Sequence, residues 1–142
     1  MPLFVLSPAS LAHSALFTGY YTYLSANVIV NRFRHKKPVG ISNEDDGLSR
    51  AQRAHGNFLE YTPFTFLLLF LAELNGAPTA WVHSAFAVLF VARVAHCSFG
   101  IYKGILPFRK YGFLTTVAVM VGTALYNFSL GYEPLVAFLT GQ

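Results

Sequence analysis

The sequence predicts an all-α integral membrane protein built as a four-helix bundle. Two observations lead to this prediction. Of the 142 residues, 54% are hydrophobic and only 11% are charged, and the apolar residues gather in four long segments separated by short polar ones. A soluble domain of this length could not cover so much apolar surface with so few charges. The bilayer is therefore the expected solvent, and residues 1–142 are expected to form a single domain.

The first, third and fourth apolar segments reach the length that a helix needs to cross a hydrocarbon core, about 20 residues for about 30 Å, and the second reaches it only if its polar beginning lies within the membrane protein. The expected spans are residues 10–30, 48–74, 81–101 and 111–130. Ser7-Pro8 is a plausible helix start, whereas Gly131 and Pro134 are expected to end the fourth helix. The stretch NGAPT forms a tight turn, so the second and third helices are predicted to be an antiparallel hairpin.

The basic residues predict membrane topology rather than nucleic-acid binding. The formal net charge is +4, but all of the Lys and Arg residues except Arg93 lie either between the first segment and the fully apolar part of the second, or between the last two segments. This alternation is the positive-inside pattern, so both connections are expected on the cytoplasmic side and both termini on the other. A nucleic-acid site would instead need a continuous basic face.

A polar stripe marks the beginning of the second segment. Arg50, Arg53, Asn57 and Glu60 fall within an arc of about 80° at about 100° per residue, with Tyr61 at its edge. Lipid would leave these groups unsatisfied, so the stripe must face protein or water. Placing several polar groups within the membrane costs more free energy than one interhelical hydrogen bond recovers. This favours a binding face for a zwitterionic or anionic molecule, and the apolar helix faces beside it would suit a lipophilic partner.

The third segment carries a second stripe, in which Arg93, His96 and Gly100 share one helix face. In an antiparallel hairpin with a rise of about 1.5 Å per residue, Glu60 and Arg93 lie at similar depth. We therefore expect them to face the same interior and to pair, and we expect Asn57 and His96 to match in the same way. Arg93 is equally compatible with a purely structural bridge between helices.

Other chemistry has little support in the sequence. The five histidines show no metal-ligand spacing, so no metal site is expected, and the lone Cys97 excludes an intramolecular disulfide. Arg109 and Lys110 would add positive charge that favours an anion such as a thiolate. Spacing alone, however, identifies these two residues as ordinary topology signals.

Residues 53–63, RAHGNFLEYTP, resemble the R-A-x-x-N-x-x-E-[YF]-x-P signature of the MAPEG family, the membrane-associated proteins of eicosanoid and glutathione metabolism. The resemblance covers essentially the whole chain, including R-x-x-[HY] at Arg93 and His96, and is closest to the small bacterial and fungal branch. It implies a homotrimer that binds glutathione, as co-substrate, between neighbouring protomers.

The resemblance also implies roles for individual residues. Those assigned to glutathione binding are Arg53, Asn57, Glu60, Tyr61, Arg34, Arg93 and His96. Arginine suits a carboxylate of the tripeptide, glutamate its α-amine, and asparagine and tyrosine its peptide groups. Arg32 or Arg34, at the end of the first helix, corresponds to an arginine that helps to close the site.

The catalytic role falls on Arg109, the nearest match to the arginine that stabilises the glutathione thiolate in catalytic members. Two positions depart from the eicosanoid enzymes, because His96 and Gly100 stand where those proteins have tyrosines. Arg109 also follows a connection that looks longer than the family's.

The function implied is a detoxifying, membrane-bound glutathione transferase or peroxidase. It would join glutathione to lipophilic electrophiles or reduce lipid hydroperoxides that arrive from the bilayer. Its membrane would be of the endoplasmic reticulum type or a bacterial inner membrane, with the site toward the cytoplasm. One alternative is a non-catalytic member that binds lipids, and another is a small channel or proton-coupled carrier with Glu60, Arg93 and His96 as a relay.

Overall fold

The computed structural model describes residues 6–42 and 45–141, and this part of the chain is helical without a strand. The helices are α1 (Pro8–His35), α2 (Gly47–Leu74), α3 (Thr79–Val94) and α4 (Leu106–Thr140). α3 continues directly into a π-helical segment, Ala95–Tyr102. The predicted all-α, four-helix fold is confirmed.

Two helices are longer than the sequence predicts. α1 runs past Val30 to His35 and ends at Lys36, whose left-handed φ of 52° stops the helix. α4 continues through Gly131 and Pro134 to Thr140, so the prediction that these two residues end it is wrong. A proline inside a helix removes one backbone hydrogen bond, whereas the bonds before and after it persist. Because the sequence remains apolar beyond Pro134, nothing in its polarity favours a loop.

By length and composition, two helical runs among the described residues could cross a membrane, Thr79–Tyr102 and Leu106–Thr140. α2 carries Arg50, Arg53, Glu60 and Glu73, which lower its mean hydropathy. Membrane crossing by α1 and α2 therefore stays a prediction.

Aromatic side chains join the first three helices. The ring of Phe17 on α1 lies edge-on to Phe66 on α2 and to Phe90 on α3, with centroid distances of 5.7 and 5.4 Å. Phe66 also contacts Phe86, with 4.6 Å between ring centroids. Such offset aromatic pairs contribute beyond the area that they bury. These rings pack within a core that also contains buried aliphatic side chains such as Leu69 and Leu89.

The α2–α3 connection is the tight turn that NGAPT predicts. Asn75 caps α2, Gly76 takes a φ of 90°, and the Ala77 N–H donates to the carbonyl of Ala72 at 3.0 Å. The two helices run antiparallel, since residues near the start of α2 contact residues near the end of α3. The hairpin sets the depth at which their polar stripes meet.

The beginning of α4 packs directly on the π-helical segment. A Cβ at Gly100 would lie 2.5 Å from the Cα and N atoms of Arg109, and one at Gly112 would lie 2.7 Å from the carbonyl oxygen of Ala92. Only glycine permits backbones to approach this closely. These two contacts fix the position of the first turns of α4 beside His96.

The buried carboxylate of Glu73 holds the other end of the bundle together. Its oxygens accept hydrogen bonds from the N–H groups of Ala9 and Ser10, at 2.8 and 2.9 Å, and from the Ser10 hydroxyl at 2.6 Å. Ser7 stands at the cap position, as Ser7-Pro8 predicts, but its side chain makes no cap bond. A residue from α2 thus caps α1, where a negative charge also complements the helix dipole.

Candidate functional site

The polar stripe lies in the first half of α2, whose start is fixed by Asp46. The Asp46 side chain accepts from the N–H of Ser49 at 2.7 Å, which makes it the N-cap. Within the stripe, the side chains of Arg53 and Glu60 are exposed, whereas Asn57 and Tyr61 are half-buried. His55 is off the stripe and lies within 3.1 Å of the Ser25 hydroxyl on α1.

Arg93 is the centre of the buried part of the site, and its side chain is 0% exposed. Its Nη2 donates to the side-chain oxygen of Asn57 at 2.6 Å and to the Asn57 carbonyl at 2.9 Å. Nη2 also lies 3.3 Å from the sulfur of Cys97, and Nη1 lies 3.5 Å from the hydroxyl of Thr116 on α4. A single guanidinium therefore links α2, α3 and α4.

The structure brings Arg93 to Asn57 rather than to Glu60, so the expected Glu60–Arg93 pair is wrong for the described chain. Helix geometry gives the reason. Relative to Asn57, Tyr61 is rotated by about 40° in one direction, while Arg53 and Glu60 are rotated by about 40° and 60° in the other. When Asn57 points at Arg93, Tyr61 stays inside the bundle and the other two side chains turn outward.

Tyr61 completes the buried contact between α2 and α4. The Arg93 guanidinium lies 5.7 Å from the centroid of the Tyr61 ring, within cation–π range. The same ring stands perpendicular to Phe113 at 5.5 Å. Asn57, Tyr61 and Arg93 thus form one contiguous group.

His96 is buried, and its Nδ1 lies 2.7 Å from the backbone carbonyl oxygen of Arg109. A carbonyl oxygen only accepts, so Nδ1 is the protonated donor in this contact. The expected match between His96 and Asn57 is replaced by contacts with α4, which include the Phe113 ring at 6.0 Å. His96 therefore fastens the first turns of α4 to the π-helical segment.

The remaining candidate side chains point away from this group. Arg109 is exposed although its backbone is tightly packed, and Arg34 is exposed in the last turn of α1. Arg53, Glu60, Arg34 and Arg109 share no side-chain hydrogen bond or ion pair with the buried group within residues 6–42 and 45–141. The chain thus presents a buried polar floor, formed by Asn57, Tyr61 and Arg93, and a separate set of exposed charges.

Two neighbours of Arg93 were not expected from the sequence, Cys97 and Thr116. Cys97 follows Arg93 by four residues, so helical spacing could have placed it beside the guanidinium. Thr116 is on α4, and no spacing rule connects α4 with α3. Its hydroxyl also donates to the carbonyl of Gly112 at 2.8 Å, which fixes its orientation toward Arg93.

An apolar groove lies outside the bundle where α4 begins. Its volume is about 530 Å³. Its walls include Val91 and Ala95 on the α3 side and Phe108 and Tyr111 on the α4 side. Phe108 is the neighbour of Arg109 in sequence, so the groove ends close to that arginine.

The chain is thus a helical protein with segments long and apolar enough to span a membrane and with a polar group, Asn57, Tyr61 and Arg93, between its second and third helices. The model of the MAPEG family matches residues 10–129, and the chain therefore belongs to the MAPEG family. The chain is 32% identical over 126 residues to the inner membrane protein YecN of Escherichia coli strain K12. The alignment covers 84% of this chain and 94% of YecN, and the YecN of Escherichia coli O6:H1 matches equally.

Proposed function

We propose that the protein is a membrane-bound glutathione transferase or peroxidase. The observation that supports this most directly is the arrangement on α2, where Arg53, Asn57, Glu60 and Tyr61 occupy one face above the buried guanidinium of Arg93. A buried cation without an ion-pair partner among the described residues favours an anionic ligand nearby. Glutathione, with two carboxylates, one ammonium and two peptide groups, matches these side chains in charge and in hydrogen-bonding type.

In this proposal Arg53 binds a carboxylate of glutathione and Glu60 binds its α-ammonium group. Both side chains are exposed, so they are free to take these partners. Asn57 and Tyr61 bind the peptide groups. Arg93 supports the site indirectly by holding the Asn57 side chain, and His96 does so by holding the backbone of Arg109.

The site is proposed to be completed by a neighbouring protomer in a homotrimer. Charged side chains such as Arg53 and Glu60 are costly on a helix that faces lipid. A second copy packed against this face would cover them and would enclose glutathione between protomers. Arg34, at the end of α1, is the proposed residue that helps to close the site.

Arg109 is the proposed catalytic residue. Its guanidinium would stabilise the thiolate of glutathione, which is the reactive form of the thiol. In the transferase reaction the sulfur forms a bond to an electrophilic carbon, and the leaving group departs with the bonding electrons. In the peroxidase reaction two glutathione molecules and one lipid hydroperoxide give glutathione disulfide, an alcohol and water.

The apolar groove beside Phe108 is the proposed entry for the lipophilic substrate. It opens outward, where an acyl chain in the bilayer could reach it. The name of the relative YecN suggests a bacterial inner membrane as the location, and the basic connections suggest that the glutathione site faces the cytoplasm.

The catalytic claim is tested by the thiolate absorbance of the purified protein with glutathione and by turnover with a lipophilic electrophile and with a lipid hydroperoxide. We expect Arg109→Ala to bind glutathione but to lose the thiolate signal and most of the turnover. Lys110→Ala removes a neighbouring exposed charge and is the matched control. Glutathione binding by the wild type without thiolate or turnover would favour a non-catalytic role.

A further inference from the structure

We propose that Arg93 is a positioning residue that fixes the Asn57 amide, so that the site requires a hydrogen-bond acceptor on the ligand at this point. Under the proposed function, that acceptor is a peptide carbonyl or carboxylate oxygen of glutathione. This proposal rests on the proposed function for the identity of the ligand, but not for the orientation of the amide.

The orientation of Asn57 follows from donor and acceptor chemistry. A guanidinium carries only donors, so the Asn57 side-chain atom at 2.6 Å from Nη2 of Arg93 must be the oxygen. The second bond, from the same Nη2 to the Asn57 carbonyl at 2.9 Å, holds the backbone of that residue as well. The Nδ2 group therefore points away from Arg93, and it has no hydrogen-bond acceptor among residues 6–42 and 45–141.

Arg93 is fully buried beneath the stripe. It is 0% exposed, whereas Asn57 is half-buried, so a ligand on the stripe meets the amide before it meets the guanidinium. Thr116, Cys97 and the Tyr61 ring lie beside the guanidinium, whose Nε is buried without a hydrogen-bond partner among the described residues. Under this proposal Arg93 acts on glutathione indirectly, through Asn57.

This arrangement has a consequence for specificity. Nδ2 offers two hydrogens and no lone pair, so it stabilises a carbonyl or carboxylate oxygen and repels an ammonium group. A site that is built around a fixed donor discriminates strongly, because a ligand without an acceptor leaves the donor unpaired. Asn57 and Glu60 thus select opposite ends of a zwitterion from positions one helical turn apart.

The decisive variant is Asn57→Asp, which preserves shape and keeps an oxygen for Arg93 but replaces the outward donors with an acceptor. We expect its thermal unfolding midpoint to equal or exceed that of the wild type, because the buried cation gains a carboxylate. We expect its Kd for glutathione to rise about tenfold or more, because a donor–acceptor bond becomes an acceptor–acceptor contact.

A double-mutant cycle separates positioning from a general structural role. Arg93→Lys replaces two separate nitrogens, one on Asn57 and one on Thr116, with a single ammonium that cannot keep both contacts, so it should raise the KM for glutathione severalfold with a smaller change in kcat. In an Asn57→Leu background the same substitution should leave that KM unchanged, since Arg93 acts through Asn57. Equal effects of Arg93→Lys in both backgrounds would overturn the proposal.

The outcomes are distinguishable from failure of the proposed function. If the wild type binds glutathione and Asn57→Asp binds it within twofold, this proposal is wrong and the proposed function stands. If the wild type does not bind glutathione, the proposed function and the ligand part of this proposal fail together. A lower unfolding midpoint for Asn57→Asp would overturn the oxygen-to-Arg93 orientation whatever the ligand.

Discussion

Glu60 and Glu73 lie on the same helix, thirteen residues apart, and the structure gives them different surroundings. Glu73 is buried, and its carboxylate accepts three hydrogen bonds from the first turn of α1. Glu60 is exposed on the polar face of α2. At the scale of single residues, one glutamate therefore stabilises the bundle, and the other is proposed to bind a ligand.

The pair of substitutions Glu73→Gln and Glu60→Gln separates these roles. We expect Glu73→Gln to lower the free energy of unfolding by about 1–3 kcal/mol, because an amide cannot accept all three bonds and α1 loses its negative cap. Glu60→Gln should leave the unfolding midpoint unchanged and weaken glutathione binding. Both are measured by thermal unfolding and calorimetry in detergent, and a destabilised Glu60→Gln with normal binding would contradict the assignment.

The sequence predicts the residues of the α2 stripe because helical periodicity alone places Arg53, Asn57 and Glu60 on one face. It does not predict which of them meets Arg93, since they differ by only about 40° to 60° around the axis. The role of Glu73 is also hidden, because no local pattern on α2 shows that its end lies beside the start of α1.

At the scale of helices, the structure depends on close backbone contact between the π-helical segment and α4. Gly100 and Gly112 permit this contact, and the His96 side chain bonds to the Arg109 carbonyl within it. Wider helical turns of the π type often occur at functional sites. Here the segment determines where the first turn of α4, and hence Arg109, is held.

Gly100→Ala tests this contact. The added Cβ would meet the backbone of Arg109 at 2.5 Å, so we expect a loss of about 1–3 kcal/mol in stability and reduced activity as α4 shifts. Gly122→Ala is the control on α4, because no atom lies within 4 Å of its Cβ position. That substitution should gain about 0.5–1 kcal/mol from helix propensity, and a neutral Gly100→Ala would contradict the packing described.

The start of α2 gives a pH-dependent prediction. The Ser49 N–H, and after it the Ser42 hydroxyl, lower the pKa of Asp46 below its ordinary value. A lowered folded-state pKa means that Asp46 contributes stability above its unfolded pKa of about 4 and loses it as the pH falls through the folded value.

We therefore expect Asp46→Ala to lower the unfolding midpoint at neutral pH, with the difference from the wild type shrinking as the pH falls below about 4. Asp46→Asn keeps an N-cap acceptor without the titrating group and should lose less at neutral pH. A wild-type advantage over Asp46→Ala that grows on acidification would contradict this role.

At the scale of the whole molecule, the chain leaves Arg53, Glu60, Arg34 and Arg109 exposed while Asn57, Tyr61 and Arg93 form a buried polar floor. The all-α fold, the α2–α3 hairpin and the family were predictable from hydropathy, turn residues and the RAHGNFLEYTP motif. The extension of α4 to Thr140 was not predictable, because Gly131 and Pro134 usually indicate the end of a helix. Here the helix continues through both residues into a sequence that is still apolar.

The proposed trimer makes a direct prediction about assembly. We expect native mass spectrometry of the protein in a mild detergent to show three copies, and disruption of the trimer to abolish glutathione binding. Monomers that bind glutathione as tightly as the assembled protein would contradict a site shared between protomers.

Calorimetric titration of the wild type and Arg53→Ala shows whether the polar face of α2 binds glutathione. We expect saturable binding by the wild type at millimolar glutathione or below, and a large loss in Arg53→Ala without a change in unfolding midpoint. Absence of binding by a folded wild type would contradict this expectation and would leave the stripe to a structural role or to a different ligand.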